Sequence, residues 1–124
     1  MRVDHDPATG RRSRAWTATT LSGLALLVLV TIHMVAHHFV VEEIGGLRTY
    51  AQVLDYIGNP VILVLELLLL VTVTLHAMLG LRSVLFDFGL SERARRLVNR
   101  GLIGLGVVTI AYGAVLIGVL ASRA

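Results

Sequence analysis

Cysteine and lysine are both missing from this 124-residue chain, whose eleven basic residues are all arginine. Without cysteine, the chain can supply neither a disulfide nor a thiolate metal site, and it cannot hold an iron–sulfur cluster. Charge is also scarce, since charged residues make up 15% of the sequence while hydrophobic residues make up 56% and the mean hydropathy is +0.80. This composition excludes an ordinary soluble domain and predicts an integral membrane protein.

Three apolar runs are long enough to cross about 30 Å of hydrocarbon as helices. They extend from about residue 16 to 41, from about 60 to 82 and from about 97 to 120. The first run is too long for the apolar core of a signal peptide and contains no cleavage-site pattern. The sequence therefore predicts an all-α fold, with a cytoplasmic polar tail at 1–14 and one membrane domain of three helices at 15–124.

The arginines are distributed unevenly around these runs. Four precede the first run and five lie at or between the facing ends of the second and third runs, whereas the segment between the first and the second has one arginine and three acidic residues. Because positive residues near span ends remain cytoplasmic, we predict a multi-pass protein of the cytoplasmic (inner) membrane, with its N-terminus inside and its C-terminus outside. The basic pI of about 10.2 then follows from orientation and does not indicate nucleic-acid binding.

The connections between the runs carry helix signals of their own. The stretch LRTYAQVLDYI, residues 47–57, places Leu47, Tyr50, Leu54 and Ile57 on one face, which predicts a short interfacial helix on the outer surface. Gly58 and Pro60 end that helix and open the second span, while Gly89 and Ser91 predict that the third helix begins before its membrane part. Five glycines in the third span indicate close helix packing or, alternatively, space for a flat macrocycle.

Ionisable residues within membrane spans are rare, and each is a functional candidate by default. In chain order they are His33, His37 or His38, Glu66 and His76. An imidazole or a carboxylate in hydrocarbon needs a hydrogen-bond partner or a metal ion. The stretch TIHMVAHHFVV, residues 31–41, concentrates three imidazoles near the end of the first span, and the second span carries the other two groups.

His76 lies in a stripe of small and polar residues on the second span. At about 100° per residue, Gly80, Ser83 and Asp87 fall within about 40° of it around the helix. A neutral imidazole with a glycine one turn away suits axial ligation of haem, because the missing side chain leaves room for the porphyrin plane. The alternative is a structural histidine bonded to a neighbouring helix, and the stripe favours the ligand.

The candidate histidines lie at different depths in the membrane. His33 follows Trp16 by seventeen residues, which places it about 25 Å from the cytoplasmic edge. His76 precedes Arg82 by six residues and is about 9 Å from the same edge. At a separation of about 16 Å they cannot clasp one haem, so each would need a histidine from another chain. Glu66, near the level of His33, either hydrogen-bonds a histidine or handles protons.

At these residues the sequence resembles a known family. The stretch HAMLGLRSVLFDFG, residues 76–89, is similar to the second-helix motif of succinate dehydrogenase hydrophobic membrane anchor subunits: His, a small residue, Gly, a basic residue, then Asp followed by an aromatic. The stretch IHMVAHHF, with a proline and an acidic residue opening the second span, resembles the first-helix region of the dihaem branch, of cytochrome b type. The resemblance covers nearly the whole chain, including three spans, orientation and loop lengths.

The resemblance implies one of the two small anchor chains of complex II, half of a heterodimeric helix bundle. In that family a flavoprotein oxidises succinate, an iron–sulfur protein relays electrons, and the anchors pass them to a membrane quinone. The chain would be a non-catalytic electron-transfer subunit, with the second anchor, the iron–sulfur subunit, the flavoprotein, lipid and quinone as partners. The alternatives are a fumarate reductase anchor, a haem-free transport or proton-handling protein, and a structural bundle subunit.

Site residues are implied by position within the family motifs. His76 would be the axial ligand of a proximal haem b, with Gly80 giving clearance, and His33 the ligand of a distal haem b. Their partners on the iron would come from the sister anchor. His37 would contact a haem propionate or a quinone head group. The residues implied for quinone sites are Asp87, Arg82, Ser83 and Glu66.

One position departs from the family pattern. Many single-haem members follow the motif aspartate with a tyrosine whose hydroxyl bonds a quinone carbonyl, and here Asp87 is followed by Phe88. Because Phe88 has no donor, the sequence favours the dihaem, menaquinone-type arrangement over an inner ubiquinone site. The implied cofactors are therefore one or two haem b groups and a quinone, either menaquinone or ubiquinone.

Overall fold

A computed structural model describes residues 14–39 and 48–124. These residues form four α-helices and no strand: α1 (Arg14–Phe39), α2 (Tyr50–Gly58), α3 (Pro60–Phe86) and α4 (Glu92–Ala121). The predicted all-α fold with three long helices and one short helix is confirmed. The predicted polar tail up to residue 13, and the last two residues of the predicted first span, lie outside the described residues.

Helices α1, α3 and α4 are each long and apolar enough to span a membrane. Large apolar side chains are exposed on all three of them; Leu21, Leu68 and Val107 are 61%, 52% and 62% exposed. Helices that are apolar all round are typical of membrane spans, where lipid or another membrane subunit covers the outer surface. The chain is therefore a three-span membrane protein with one short additional helix.

Local capping sets the beginnings of α2 and α3. The Thr49 hydroxyl accepts a hydrogen bond from the backbone N–H of Gln52, whose side chain accepts from the backbone N–H of Thr49. This reciprocal arrangement satisfies two N–H groups at the start of α2. The Asn59 side-chain oxygen caps α3 by accepting hydrogen bonds from the backbone N–H groups of Val61 and Ile62, and Pro60 occupies the first position of α3, where no N–H is needed.

The predicted stop and start signals between α3 and α4 are confirmed. Gly89 adopts a φ of 70°, a left-handed conformation that glycine tolerates without a steric penalty. The Ser91 hydroxyl then accepts a hydrogen bond from the backbone N–H of Ala94, and α4 begins at Glu92. Helix α4 therefore starts before the apolar run predicted from about residue 97.

Helix α3 is central, packing against both α1 and α4, while α2 packs against α3 and α4. A small core forms where Tyr56 and Ile57 of α2 meet Ile62 of α3, with Ile117 of α4 packed beside them. We call this end of the bundle the α2 end, and the opposite end, where α3 connects to α4, the loop end.

The predicted apolar face of α2 is only partly correct. Ile57 is buried and Leu54 is half-buried, but Tyr50 is 58% exposed, and Leu47 lies outside the described residues. Tyr56, which the predicted face left out, is 4% exposed. The reason is that its hydroxyl finds a hydrogen-bond partner on α3, so burial of this ring leaves no polar atom unsatisfied.

Two of the five glycines on α4 lie against α3. A Cβ added to Gly113 would come within 2.7 Å of the Leu70 side chain, and one added to Gly106 would come within 3.3 Å of Met78. These glycines therefore serve close helix packing. A Cβ added to Gly101, Gly104 or Gly118 would have nothing within 4 Å.

Candidate functional site

A first polar cluster joins α1 to α3 in the half of the bundle nearer the loop end. The Nδ1 atom of His76 lies 3.0 Å from the Ser22 hydroxyl oxygen, and that hydroxyl donates to the carbonyl oxygen of Thr19, also at 3.0 Å. A serine hydroxyl has one proton, so while that proton is donated to Thr19, Ser22 accepts from His76. In this arrangement the ring proton is on Nδ1 of His76, and the neutral imidazole has its lone pair on Nε2.

The missing side chain at Gly23 of α1 leaves room for the His76 ring. A Cβ added to Gly23 would lie 3.1 Å from Cε1 of His76, closer than an ordinary contact, so any side chain there would displace the ring. Ser22 itself is 7% exposed. Sequence reasoning missed both residues, although depth could have found them: Ser22 follows Trp16 by six residues, as His76 precedes Arg82 by six.

The remaining residues of the His76 stripe lie on an open flank of α3. Nothing lies within 4 Å of the position that a Cβ on Gly80 would take. Ser83 and Asp87 are exposed, and Asp87 is the C-cap residue of α3. The flank next to His76 can therefore receive a flat ligand or a neighbouring chain without displacing a side chain at Gly80.

Arg82 is directed away from that stripe, toward α4. Its Nε donates a 2.8 Å hydrogen bond to Oδ1 of Asn99, and its guanidinium lies 4.3 Å from the centre of the Phe86 ring. The same side chain lines an apolar cleft of about 360 Å³ between α3 and α4. The structure therefore does not bring Arg82 together with Ser83 and Asp87, because it lies about 120° from His76 around the helix.

A second polar cluster, at the α2 end, joins α1, α2 and α3 through one carboxyl oxygen. Oε1 of Glu66 lies 2.8 Å from Nδ1 of His33 and accepts a 2.8 Å hydrogen bond from the Tyr56 hydroxyl. Nε2 of His37 is 3.8 Å from the same oxygen. We call these four residues the Glu66 cluster. Of the two roles predicted for Glu66, the hydrogen bond to a histidine is the one the structure contains.

Ring contacts and one arginine hold the Glu66 cluster together. The centres of the His33 and His37 rings are 4.2 Å apart, and those of His37 and Tyr56 are 4.4 Å apart. Arg48 donates a 2.7 Å hydrogen bond to the carbonyl oxygen of His37, and its guanidinium lies 5.5 Å from the Tyr56 ring. Arg48 thereby satisfies a carbonyl in the last turn of α1, which has no partner within the helix.

The proton on His33 follows from these contacts. With Oε1 of Glu66 accepting from both Tyr56 and His33, the proton lies on Nδ1 of His33, and Nε2 carries the lone pair of the neutral ring. A carboxylate that accepts from Nδ1–H is a common arrangement behind a metal-bound imidazole, because it orients the ring and raises its basicity. Both candidate histidines thus present Nε2 as the ligand atom.

The two polar clusters lie at different levels along the bundle. Ser22 and His33 are eleven residues apart on α1, and Glu66 and His76 are ten residues apart on α3. Both helices therefore give a separation of about 15–16 Å, in agreement with the estimate from the sequence. His33 and His76 of one chain cannot ligate a single metal centre between them.

Sequence reasoning also missed Tyr56 and Arg48. The signal for Tyr56 is its position: a tyrosine next to a membrane span buries its ring only where its hydroxyl has a partner, and Glu66 is the nearest acid in the following helix. Arg48 carries no comparable signal, because its partner is a backbone carbonyl. His38, the third imidazole of the stretch at residues 31–41, is exposed.

Tyr56 provides a pH-dependent prediction. Burial, and then the hydrogen bond to Glu66, raises the pKa of Tyr56 above its ordinary value. Its contribution to stability is therefore fully present below the unfolded-state pKa of about 10 and is lost only as the pH rises through the higher folded-state value. The tyrosinate absorbance that the wild-type chain has and Tyr56→Phe lacks belongs to Tyr56, and we expect it to develop only above about pH 10. Tyr50→Phe is the control. An onset at lower pH would contradict this placement.

Comparison with known proteins identifies the family. The family described as succinate dehydrogenase/fumarate reductase transmembrane subunit matches residues 10–116. The chain is similar to a succinate dehydrogenase hydrophobic membrane anchor subunit of Archaeoglobus fulgidus, with 34% identity over 85 residues, covering 68% of this chain and 70% of the relative. A protein of the same description from Thermoplasma acidophilum is 28% identical over 99 residues, covering 80% and 79% of the two chains. No solved structure matches the chain.

The matched region contains both polar clusters and all of α1, α2 and α3. The resemblance noted in the histidine motifs is confirmed at the level of the family. The two relatives are both described as membrane anchor subunits, in accord with the three spans found here. The chain belongs to the succinate dehydrogenase/fumarate reductase transmembrane subunit family.

Proposed function

We propose that this chain is a membrane anchor subunit of succinate:quinone oxidoreductase. It is a non-catalytic subunit that holds the flavoprotein and iron–sulfur subunits at the membrane and passes electrons through haem b to a quinone, in the respiratory chain and the tricarboxylic acid cycle. The observation that carries this proposal is His76, whose Nδ1 is engaged by Ser22 and whose flank is open at Gly80. Family membership supports it.

The proposed orientation places the loop end in the cytoplasm and the α2 end outside. Arginines cluster at the loop end, where Arg93, Arg95, Arg96 and Arg100 all lie in the first turns of α4. Positive residues at span ends remain on the cytoplasmic side of the inner membrane. The succinate-oxidising head and the His76 level are then on the same side of the bundle, which gives a short electron path.

Haem b, when bound, supplies a carrier for one electron at a time. His76 would hold the proximal iron through Nε2, because its Nδ1 is engaged by Ser22. Gly23 leaves room for the ring against α1, and Gly80 would leave the flank of α3 clear for the macrocycle. A second histidine for that iron would come from the sister anchor, since no other described histidine lies at this level.

A distal haem b at the α2 end would make the chain a dihaem anchor. His33 would hold it through Nε2, with Glu66 engaging Nδ1 and so orienting the ring. His37, with its ring centre 4.2 Å from that of His33, is placed to bind a haem propionate or a quinone head group. The partner ligand again comes from the sister anchor.

The quinone-site residues divide between the two ends of the bundle. At the loop end, Ser83 and Asp87 are exposed on the flank that His76 occupies, while Arg82 forms the adjoining wall toward α4. At the α2 end, Glu66 is the polar group that a quinone can approach. Phe88 is 76% exposed and has no hydrogen-bond donor, which favours a menaquinone site at the α2 end.

Affinity purification of the tagged chain from its native membrane tests the function. We expect a second small membrane protein, an iron–sulfur protein and a flavoprotein to co-purify, together with the absorption bands of flavin and reduced haem b. A chain recovered without flavoprotein and without haem would support a haem-free transporter, a proton-handling protein or a structural subunit instead. Comparing succinate oxidation by quinone with fumarate reduction by quinol, in the same complex, tests the fumarate reductase alternative.

Ser22→Ala is expected to weaken haem binding at His76 without removing it. The substitution leaves Nδ1–H of His76 without its acceptor, and such second partners typically contribute about 10–100-fold to metal affinity. We expect a fall in haem per complex and a shifted midpoint potential, with recovery in Ser22→Thr. Thr31→Val, which removes a hydroxyl bonded only within α1 to Leu27, is the control. Unchanged haem content and potential in Ser22→Ala would contradict the proton assignment.

A further inference from the structure

The Glu66 cluster contains three metal-ligating side chains in addition to the tyrosine. One atom from each of His33, His37 and Glu66 lies within 4.8 Å of the other two. We propose that these three residues form a binding site for a divalent cation of the Zn²⁺ type at the α2 end of the bundle. The site uses Nδ1 of His33, whereas the proposed distal haem uses Nε2 of the same ring, so a cation and a distal haem cannot occupy His33 together.

The donor set suits zinc. Two imidazole nitrogens and one carboxylate oxygen, with water in the fourth position, is an established ligand combination for Zn²⁺. Ligand atoms about 2.0–2.1 Å from a tetrahedral ion are about 3.3 Å from one another. Nδ1 of His33 and Nε2 of His37 lie 2.8 Å and 3.8 Å from Oε1 of Glu66. Rotations that move these atoms by about 1 Å therefore complete the site.

Neighbouring residues hold the three ligands in place. The Tyr56 hydroxyl donates to Glu66 and so orients the carboxylate, as second partners of metal ligands usually do. Arg48 is a nearby cation and opposes an additional positive charge. Its guanidinium is directed to the His37 carbonyl and the Tyr56 ring, however, so the carboxylate remains available to a metal ion.

The cluster is accessible from one side. The side chains of His33 and His37 are 27% and 31% exposed, while that of Glu66 is 14% exposed. An ion can therefore reach the imidazole nitrogens first and meet the carboxylate behind them. Because α2 packs against α3 and α4 at this end, the site lies toward the ends of the spans and not at their middle.

Cation binding and a distal haem are alternative uses of His33. The cation takes Nδ1, and the proton that Nδ1 carried moves through solvent to Nε2, which then has no lone pair for iron. Iron at Nε2 instead requires the proton to remain on Nδ1, where it is donated to Glu66. A bound cation would also withdraw Glu66 from a quinone, so Zn²⁺ is expected to inhibit quinone reduction at this end.

Metal content of the purified, complete complex tests the site. After equilibrium dialysis against Zn²⁺, we expect one tightly bound ion per copy of this chain and the loss of any distal haem, and Co²⁺ in its place should give the intense visible bands of a four-coordinate site. Glu66→Gln and His37→Ala should each weaken binding about tenfold or more. Glu66→Gln keeps an acceptor for Tyr56, so it tests the ligand without removing that packing contact.

The adjacent, exposed His38 provides the matched control, and His38→Ala should leave Zn²⁺ binding unchanged. The proposal is overturned if no saturable Zn²⁺ binds, or if binding persists in both Glu66→Gln and His37→Ala. Because bound metal is counted directly, the result does not depend on electron transfer. A complex that binds Zn²⁺ but contains no haem would overturn the proposed function alone, whereas a complex with haem but no Zn²⁺ site would overturn this inference alone.

Discussion

His76→Ala is expected to abolish the proximal haem while the chain still inserts into the membrane. Haem iron held by imidazole nitrogen loses that bond entirely, and no other described histidine lies at the same level of the bundle. Membrane insertion should be retained, because it depends on the apolar length of the three spans and on their flanking arginines, which the substitution does not change. The measurement is haem per complex, taken from the absorption of reduced haem b, beside the amount of chain in the membrane fraction.

The control for His76→Ala is His38→Ala, which removes an exposed imidazole and should leave the haem content unchanged. Loss of the Ser22 hydrogen bond costs His76→Ala about 0.5–1.5 kcal/mol of folding free energy, too little to unfold most membrane bundles. Added imidazole should restore part of the haem by occupying the space of the missing ring. Retention of the full haem complement in His76→Ala would exclude this residue as a ligand.

His33→Ala is expected to remove a second haem with a different midpoint potential. A redox titration of the wild-type complex should show two components, because the two histidines sit about 15–16 Å apart in different surroundings. His33 is backed by the carboxyl group of Glu66 and His76 by the neutral hydroxyl of Ser22. Hydrogen-bonding partners of this kind tune the iron, so the potentials should differ.

His37→Ala separates ligation from packing at the α2 end. It removes a ring stacked on His33 but leaves the hydrogen bond between His33 and Glu66 in place, so both haems should remain. If the wild-type titration shows a single haem, the dihaem assignment is wrong. His33 then has the structural role that its hydrogen bond to Glu66 already provides, linking α1 to α3.

The helices were predictable because the signals that define them are local. A span is recognised from about twenty consecutive apolar residues, which must satisfy their own backbone groups as a helix whatever surrounds them. The caps at Asn59 and Ser91 and the left-handed turn at Gly89 each act within a few residues. The rotation of α2 was predicted less well, because burial of Tyr56 depends on an acceptor in another helix.

The candidate site was predictable in part for the same reason. Helical periodicity placed His76, Gly80, Ser83 and Asp87 on one flank of α3, and residue counting placed the histidines at separate depths. Periodicity and residue counting could not show which neighbour each side chain contacts, because the rotation of one helix against another is set by packing along its whole length. Arg82 illustrates this: it was grouped with the quinone candidates but is bonded to Asn99 on α4.

The amino-acid sequence by itself determined that this protein has three membrane spans and a short fourth helix, and that its imidazoles lie at two levels. Hydropathy and helix geometry act along the chain, and they need no tertiary contact to be read. Only the tertiary structure decided that Ser22 serves His76 across 54 residues and that Glu66 serves His33 across 33. Those pairings exist because a buried polar group must find its partner in space, and sequence separation places no limit on where that partner lies.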